Sequence, residues 1–152
     1  MEIKEKYREK VSVVYRMCQG SYEKIPDYIQ DVGRWLMENN LTMTGMVYGT
    51  YYNSPEEVPE EELEYEIGFS FKGKAPHDDK FKTKEIQPQN VLSAIHKGPY
   101  TDVGPVIHGL ADYAVKNSYE IVGPVTEIYL NDPSMEKPED LLTEVQFPVN
   151  KK

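Results

Sequence analysis

The sequence repeats itself at a fixed offset of 78 positions, without a gap. Under this shift Gly20 falls on Gly98, and the other identities are Tyr22/Tyr100, Asn39/Asn117, Gly45/Gly123, Tyr51/Tyr129, Asn53/Asn131, Pro55/Pro133, Glu61/Glu139, Leu63/Leu141, Glu66/Glu144 and Phe69/Phe147. A repeat of this length is too long for one turn of a solenoid and too short for an independent domain. We therefore expect one domain, 1–152, in which two copies pair around a pseudo-two-fold axis and function lies between them.

Each copy has the pattern of a strand, a helix and two further strands. Alternation from Val11 onward predicts the first strand, and Ser21 and Pro26 are typical of a helix start. The pattern predicts an α+β fold with an antiparallel sheet. In the first copy (about 11–71) we expect strand 11–18, a helix from just after 20 to about 39, and strands 43–52 and 63–71. A linker, 72–90, follows and includes an edge strand near 81–86. In the second copy (about 91–149) we expect strand 91–96, a helix over about 102–117, and strands 122–130 and 141–149.

Composition and charge exclude several classes of function. A net charge of -9 repels a phosphate backbone, so we expect no direct contact with nucleic acid. No apolar run approaches the roughly 20 residues of a membrane span, and the charged start of the chain is unlike a secretory signal, which predicts a cytoplasmic protein. A single cysteine, Cys18, and three scattered histidines predict neither a disulfide nor a metal site. No cofactor is expected.

Short motifs spread over nearly the whole chain resemble a known family. They are His96–Tyr100 (HKGPY), Gly123-Pro124 with Glu127 and Tyr129, Asp132-Pro133, and Leu142–Glu144 before Pro148. In order and spacing they resemble the GyrI-like small-molecule-binding domain, which is also the effector-binding domain of AraC-type and MerR-type multidrug regulators. The resemblance implies a duplicated strand-helix-strand-strand fold and a central groove, lined by aromatic side chains, in which one acidic residue accepts lipophilic cations. Glu127 stands at that acidic position.

The residues around Glu127 support this role independently of the resemblance. Glu127 interrupts a strand that is otherwise apolar or weakly polar, and its counterpart in the first copy is Gly49. Strand alternation places Glu127 and Tyr129 on one face. The candidate ligand-binding residues are Glu127, Tyr51, Tyr65, Tyr129 and Trp35. Two alternatives stay open: Glu127 faces solvent or pairs with a lysine, and Trp35 packs in the core.

Glu66 and Glu144 occupy equivalent positions in the two copies. A residue that is kept in both copies is expected to support the fold, for example through a salt bridge at a sheet edge. We therefore rank these two carboxylates behind Glu127 as candidates for chemistry.

Three functions compete. The first is a stand-alone binding protein, expected to be monomeric, that senses or sequesters hydrophobic and often cationic compounds; the residues before Val11 are too few for a helix-turn-helix, so control of transcription requires a partner protein. The second is a hydrolase of electrophilic natural products that contain a cyclopropane, in which Glu127 acts as base or electrostatic stabiliser. The third is a gyrase-inhibitor-like protein that contacts gyrase or another protein partner. Whether the chain is an enzyme is left open by the sequence.

Overall fold

The computed structural model describes residues 1–152 and contains two α-helices and nine strands. Neither helix is long and apolar enough to cross a membrane. The elements are β1 (Lys4–Arg8), β2 (Val11–Gln19), α1 (Ile25–Glu38), β3 (Thr42–Tyr51), β4 (Glu64–Lys72), β5 (Lys82–Ile86), β6 (Gln89–Lys97), α2 (Gly104–Lys116), β7 (Tyr119–Ile121), β8 (Val125–Tyr129) and β9 (Leu142–Lys151). The fold is α+β and its strand pairs are antiparallel, as predicted.

The chain divides into two compact units. The first unit comprises residues 10–87, with strands in the order β3-β4-β2-β5 and helix α1. The second unit comprises residues 1–9 and 88–152, with strands in the order β1-β6-β9-β8, helix α2, and β7 paired to the end of β9. Each unit therefore contains the strand-helix-strand-strand order that the sequence predicts.

The edge strands of the two units are exchanged along the chain. Strand β1 directly precedes β2 but pairs with β6, whereas β5 directly precedes β6 but pairs with β2. The expected strand near 81–86 is thus present, whereas β1 was not anticipated. Its sequence, Lys-Glu-Lys-Tyr-Arg, has charged residues on both faces and lacks the alternation of apolar and polar residues that marks a half-buried strand.

A capped turn precedes α1, and an asparagine side chain closes each of the two helices. The Ser21 hydroxyl accepts a hydrogen bond from the Glu23 backbone N–H at 3.1 Å and so caps the 3-10 turn Tyr22–Lys24, which leads into α1. Pro26 lies in the first turn of α1 itself. At the other end the Asn39 side chain donates to the Trp35 carbonyl at 2.8 Å, and Asn40 adopts φ 56°. The Asn117 side chain closes α2 in the same way, by donating to the Tyr113 carbonyl at 2.9 Å.

Each helix covers one face of its own unit. The buried residues of α1 include Ile29, Val32 and Leu36 at helical spacing. In the second unit a buried apolar cluster joins α2 to β6 and β9, and its members are Leu92, Ala94, Val103, Leu110, Ala114, Val145 and Val149. These layers fix the positions of the strands that carry the candidate site.

Equivalent asparagines hold the long loops that follow β3 and β8. Asn53 accepts from the Glu64 backbone N–H at 2.9 Å, and Asn131 accepts from the Leu142 backbone N–H at 2.9 Å. Each side chain also donates to a backbone carbonyl on the far side of its loop. A structural bond therefore explains why asparagine recurs at the predicted turns.

The predicted strand 122–130 is wrong in one respect. The chain forms β7 over 119–121 and β8 over 125–129, with an irregular segment at Val122–Pro124. Pro124 has no backbone N–H to donate to a neighbouring strand, so continuous pairing fails there.

Candidate functional site

Glu127 lies in the middle of β8 and is buried. Its partner across the sheet is Val145 of β9, and its side chain is 3% exposed. No hydrogen bond or salt bridge from another side chain compensates the carboxyl group. The alternatives in which Glu127 faces solvent or pairs with a lysine are therefore wrong.

Burial changes the acidity of Glu127. Loss of hydration disfavours the charged form and raises the pKa of the carboxyl group from 4.5 to about 8. Glu127 is thus predominantly protonated at neutral pH in the ligand-free protein. A cation held against it favours the carboxylate instead, because an opposite charge in a poorly hydrated site is strongly attractive.

Aromatic rings adjoin Glu127 within the second unit. Tyr129 is two residues along β8, on the same face of the strand. Its ring packs at a tilted angle on Tyr100, with 4.9 Å between the ring centroids. Tyr100 belongs to a short 3-10 helix, Tyr100–Asp102, that follows β6. Tyr129 and Glu127 are therefore brought together, as expected.

Tyr100 was missed as a site residue by the sequence reasoning. Its side chain is buried, and its hydroxyl group has no hydrogen-bond partner. Burial, then the charges of Asp132 and Glu127, raise the pKa of Tyr100 above its ordinary value. Tyr100 ends the HKGPY motif and matches Tyr22 under the 78-residue shift, so both signals pointed to it.

The first unit holds two of the other predicted ligand residues. Tyr51 and Tyr65 stack with 5.3 Å between ring centroids, and Tyr22 contacts both rings edge-on. The Tyr65 hydroxyl donates to the Ser21 carbonyl at 3.1 Å. Tyr51 and Tyr65 are therefore brought together, and their role as ligand contacts stays a prediction.

Trp35 has a packing contact. Its ring stacks on Phe81, with 5.2 Å between centroids, and its side chain is buried on the inner face of α1. This contact favours the core-packing alternative for Trp35. Its role as a ligand residue stays a prediction.

Two other buried carboxylates differ from Glu127 because protein groups satisfy them. Glu66, 1% exposed, accepts from the Tyr48 hydroxyl at 2.6 Å, from Lys84 Nζ at 2.7 Å and from the Tyr52 hydroxyl. Glu144, the equivalent carboxylate in the second unit, accepts from Ser93 and Gln146 at 2.8 Å and from Lys6 at 3.1 Å. Lysines on β5 and β1 thus supply the salt bridges that were expected for these two positions.

The described residues offer no metal centre, since no three His, Cys, Asp or Glu side chains are placed to hold an ion. An open groove of about 570 Å³ lies on the first unit and is lined by Gln30, Gly33, Arg34, Met37, Glu38 and Met43. It contains none of the predicted site residues. The buried acid and its aromatic neighbours therefore remain the candidate site.

Comparison with known proteins identifies the family. The model of the GyrI-like small molecule binding domain matches residues 1–150. The chain belongs to the GyrI-like family. No curated protein matches the sequence.

Three solved structures share the GyrI-like fold. The C-terminal domain of EcmrR has a TM-score of 0.88 at 20% identity, with 99% of this chain and 98% of that chain covered. A hydrolase from Listeria innocua has a TM-score of 0.70 at 10% identity, with 98% and 92% covered. SAV2435, bound to tetraphenylphosphonium, has a TM-score of 0.62 at 15% identity, with 99% and 94% covered. At these identities the likeness establishes the fold alone.

Proposed function

We propose that this GyrI-like protein binds hydrophobic, often cationic, small molecules through Glu127. The observation that carries the proposal is a buried carboxyl group that no protein group satisfies. Buried polar groups are almost always hydrogen-bonded, and a buried charge is almost always paired. Glu66 and Glu144 follow this rule within the same chain, so Glu127 is the exception that needs an external partner.

The surroundings of Glu127 favour a delocalised organic cation over a metal ion. A lipophilic cation loses little hydration on entering an apolar site, and each good contact with an aromatic face contributes roughly 0.5–2 kcal/mol. Tyr129, two residues from the acid on the same face of β8, and Tyr100, which packs on Tyr129, are the rings that we propose for this contact. The related SAV2435 structure contains tetraphenylphosphonium, a cation of this class.

A thermal-shift titration tests the proposal. Tetraphenylphosphonium and a rhodamine dye are added to the native protein, to Glu127→Gln and to Glu144→Gln, which removes a buried but paired carboxylate. At about 100 times the dissociation constant a ligand adds roughly 2.7 kcal/mol of stability, or roughly 5–10 °C for a domain of this size. We expect the shift in the native protein and in Glu144→Gln, and its loss in Glu127→Gln. Equal shifts in all three proteins contradict the proposal.

Hydrolysis of an electrophilic substrate is a second candidate function. The sequence suggested Glu127 as base or electrostatic stabiliser of this reaction. A carboxyl group whose pKa is near 8 holds its proton at neutral pH, so a general acid that donates this proton to the departing group is the role that we propose instead of the base. One structural relative is described as a hydrolase. The test is turnover of a cyclopropane-containing alkylator. Turnover should disappear in Glu127→Gln although the Tm of this variant does not fall, and absence of turnover in the native protein rejects this candidate.

The interaction with gyrase or a transcription regulator, the monomeric state and the cytoplasmic location stay predictions. A supercoiling assay at micromolar protein tests the first. Unchanged gyrase activity would reject that role.

A further inference from the structure

The hydroxyl group of Tyr100 is an unused donor beside the proposed site. The Tyr100 side chain is 6% exposed, and its oxygen has no hydrogen-bond partner. Two other buried phenols make hydrogen bonds: Tyr48 donates to Glu66 at 2.6 Å and Tyr65 donates to a backbone carbonyl at 3.1 Å. A buried hydroxyl group without a partner lowers stability and is rare in folded proteins.

Tyr100 and Glu127 share one environment within the second unit. The ring of Tyr100 packs on Tyr129, which lies two residues from Glu127 on the same face of β8. Burial, then the charge of Asp132 and that of an ionised Glu127, raise the pKa of the Tyr100 phenol, so the two groups lie within electrostatic reach of each other. The two groups nevertheless form no hydrogen bond with each other.

Glu127 and the Tyr100 hydroxyl favour different groups on a ligand, and together they indicate its chemistry. An ionised Glu127 favours a positive charge, whereas the Tyr100 hydroxyl, as a donor, favours an acceptor oxygen or nitrogen. A purely hydrocarbon cation satisfies the first group and leaves the second unpaired. A site that is built to hydrogen-bond its ligand discriminates against analogues that lack the matching atom.

We propose that Tyr100 donates a hydrogen bond to the ligand that Glu127 holds, so that the protein prefers lipophilic cations carrying an acceptor atom over hydrocarbon cations. This inference rests on the proposed function of Glu127. It adds a specificity-determining residue and narrows the ligand class to cations with an oxygen or nitrogen acceptor on the apolar body.

Matched probes separate the hydroxyl from the ring of Tyr100. The probes are the 2-, 3- and 4-acetylphenyl and the corresponding isopropylphenyl triphenylphosphonium ions, in which a carbonyl oxygen replaces a methyl group of similar size. Their affinities are measured by calorimetry on the native protein, Tyr100→Phe, Glu127→Gln and Tyr113→Phe. Tyr113 is a matched control because it lies on α2 in the same unit and stacks on Tyr119 instead.

We expect Tyr100→Phe to weaken the best acetyl probe about fivefold, which is the loss expected for one hydrogen bond, and to leave its isopropyl partner within about twofold. Tyr113→Phe should change neither probe, and Glu127→Gln should weaken both. Equal effects of Tyr100→Phe on the two probes, with both still lost in Glu127→Gln, overturn this inference alone. Binding that survives in Glu127→Gln, or no binding to the native protein, overturns the proposed function as well.

The stability of the ligand-free variant is a second and independent test. Because the Tyr100 hydroxyl makes no hydrogen bond, Tyr100→Phe should unfold at the same temperature as the native protein or above it. A fall of several degrees overturns the inference, since it means that the hydroxyl is already satisfied in the free protein.

Discussion

Replacing Glu127 with glutamine should stabilise the ligand-free protein, and the gain should grow as the pH rises. The folded protein holds a proton on Glu127 up to a pKa of about 8, whereas the unfolded chain loses it near the ordinary value of 4.5. Between these two values the native state binds one more proton than the unfolded state, so the free energy of unfolding falls as pH increases. A glutamine side chain does not titrate, so the variant escapes this loss.

The slope follows from proton linkage. One extra proton bound by the native state lowers the free energy of unfolding by about 1.4 kcal/mol per pH unit. From pH 5.5 to pH 7.5 the stability of Glu127→Gln should therefore rise by about 2.7 kcal/mol relative to the native protein. This is a large part of the roughly 5–15 kcal/mol that stabilises a typical domain.

Urea denaturation of both proteins at pH 5.5, 6.5 and 7.5 measures this difference, in which other titrating groups cancel. Glu144→Gln is the control. Burial raises the pKa of Glu144, but hydrogen bonds from Gln146, Ser93 and Lys6 outweigh it and leave the pKa below 4.5. Glu144→Gln should thus be less stable than the native protein by an amount that stays constant over this pH window. A constant difference for Glu127→Gln would refute the argument that its carboxyl group is buried without a partner.

Three further predictions concern packing and hydrogen bonding, each measured by urea denaturation at pH 7. Gly68→Ala should lower the free energy of unfolding by about 1–3 kcal/mol, because the added Cβ would lie 2.6 Å from the Tyr48 ring. Gly33→Ala should raise it by up to about 1 kcal/mol, because the added Cβ meets its nearest neighbour at 3.4 Å and alanine favours a helix. Equal effects of the two substitutions would contradict this packing. Tyr48→Phe should cost about 1–3 kcal/mol, since Glu66 loses a buried donor, and an unchanged midpoint would argue against that bond. Thr143→Val should be neutral or stabilising by up to about 1 kcal/mol, because the buried Thr143 hydroxyl has no partner; a clear loss would show that it has one.

Local signals, repeated at the 78-residue offset, were sufficient to predict both helices and most of the strands, but not β1 or the division of strand 122–130 into β7 and β8. Ser21, which caps the turn before α1, the asparagine that closes each helix, and the loop asparagines Asn53 and Asn131 all bond to backbone groups within about twelve residues. Interactions of this range depend on the sequence alone. They account for α1 and α2 lying close to where the sequence placed them.

The exchange of edge strands could not be predicted in this way. Strand β1 lies three residues before β2 yet pairs with β6, which is more than 80 positions away. Charged residues on both faces of β1 give no preference for a partner, so the choice depends on which sheet edge is available once the units have formed. The salt bridge from Lys6 to Glu144 is a consequence of that choice.

The sizes of side chains that lie opposite each other on neighbouring strands also could not be matched from the sequence alone. In the first unit Tyr48 of β3 lies opposite Gly68 of β4, and the Tyr48 ring occupies the space above the glycine. In the second unit the equivalent positions hold Thr126 on β8 and Gln146 on β9, so the larger side chain is on the other strand of the pair. In each unit the larger side chain of the pair donates a hydrogen bond to the buried glutamate: Tyr48 to Glu66, and Gln146 to Glu144. The sequence lists these residues, but only the register shows that they compensate each other.

The sequence by itself determined that an acidic residue interrupts the apolar strand β8 and that its copy is glycine. Strand alternation also placed Glu127 and Tyr129 on one face. Only the tertiary structure decided that this face is covered, that Glu127 has no partner there, and that the Tyr100 hydroxyl lies unsatisfied beside it. The physical reason is that alternation fixes the direction of a side chain, whereas its hydration and its partners depend on the elements that pack over it.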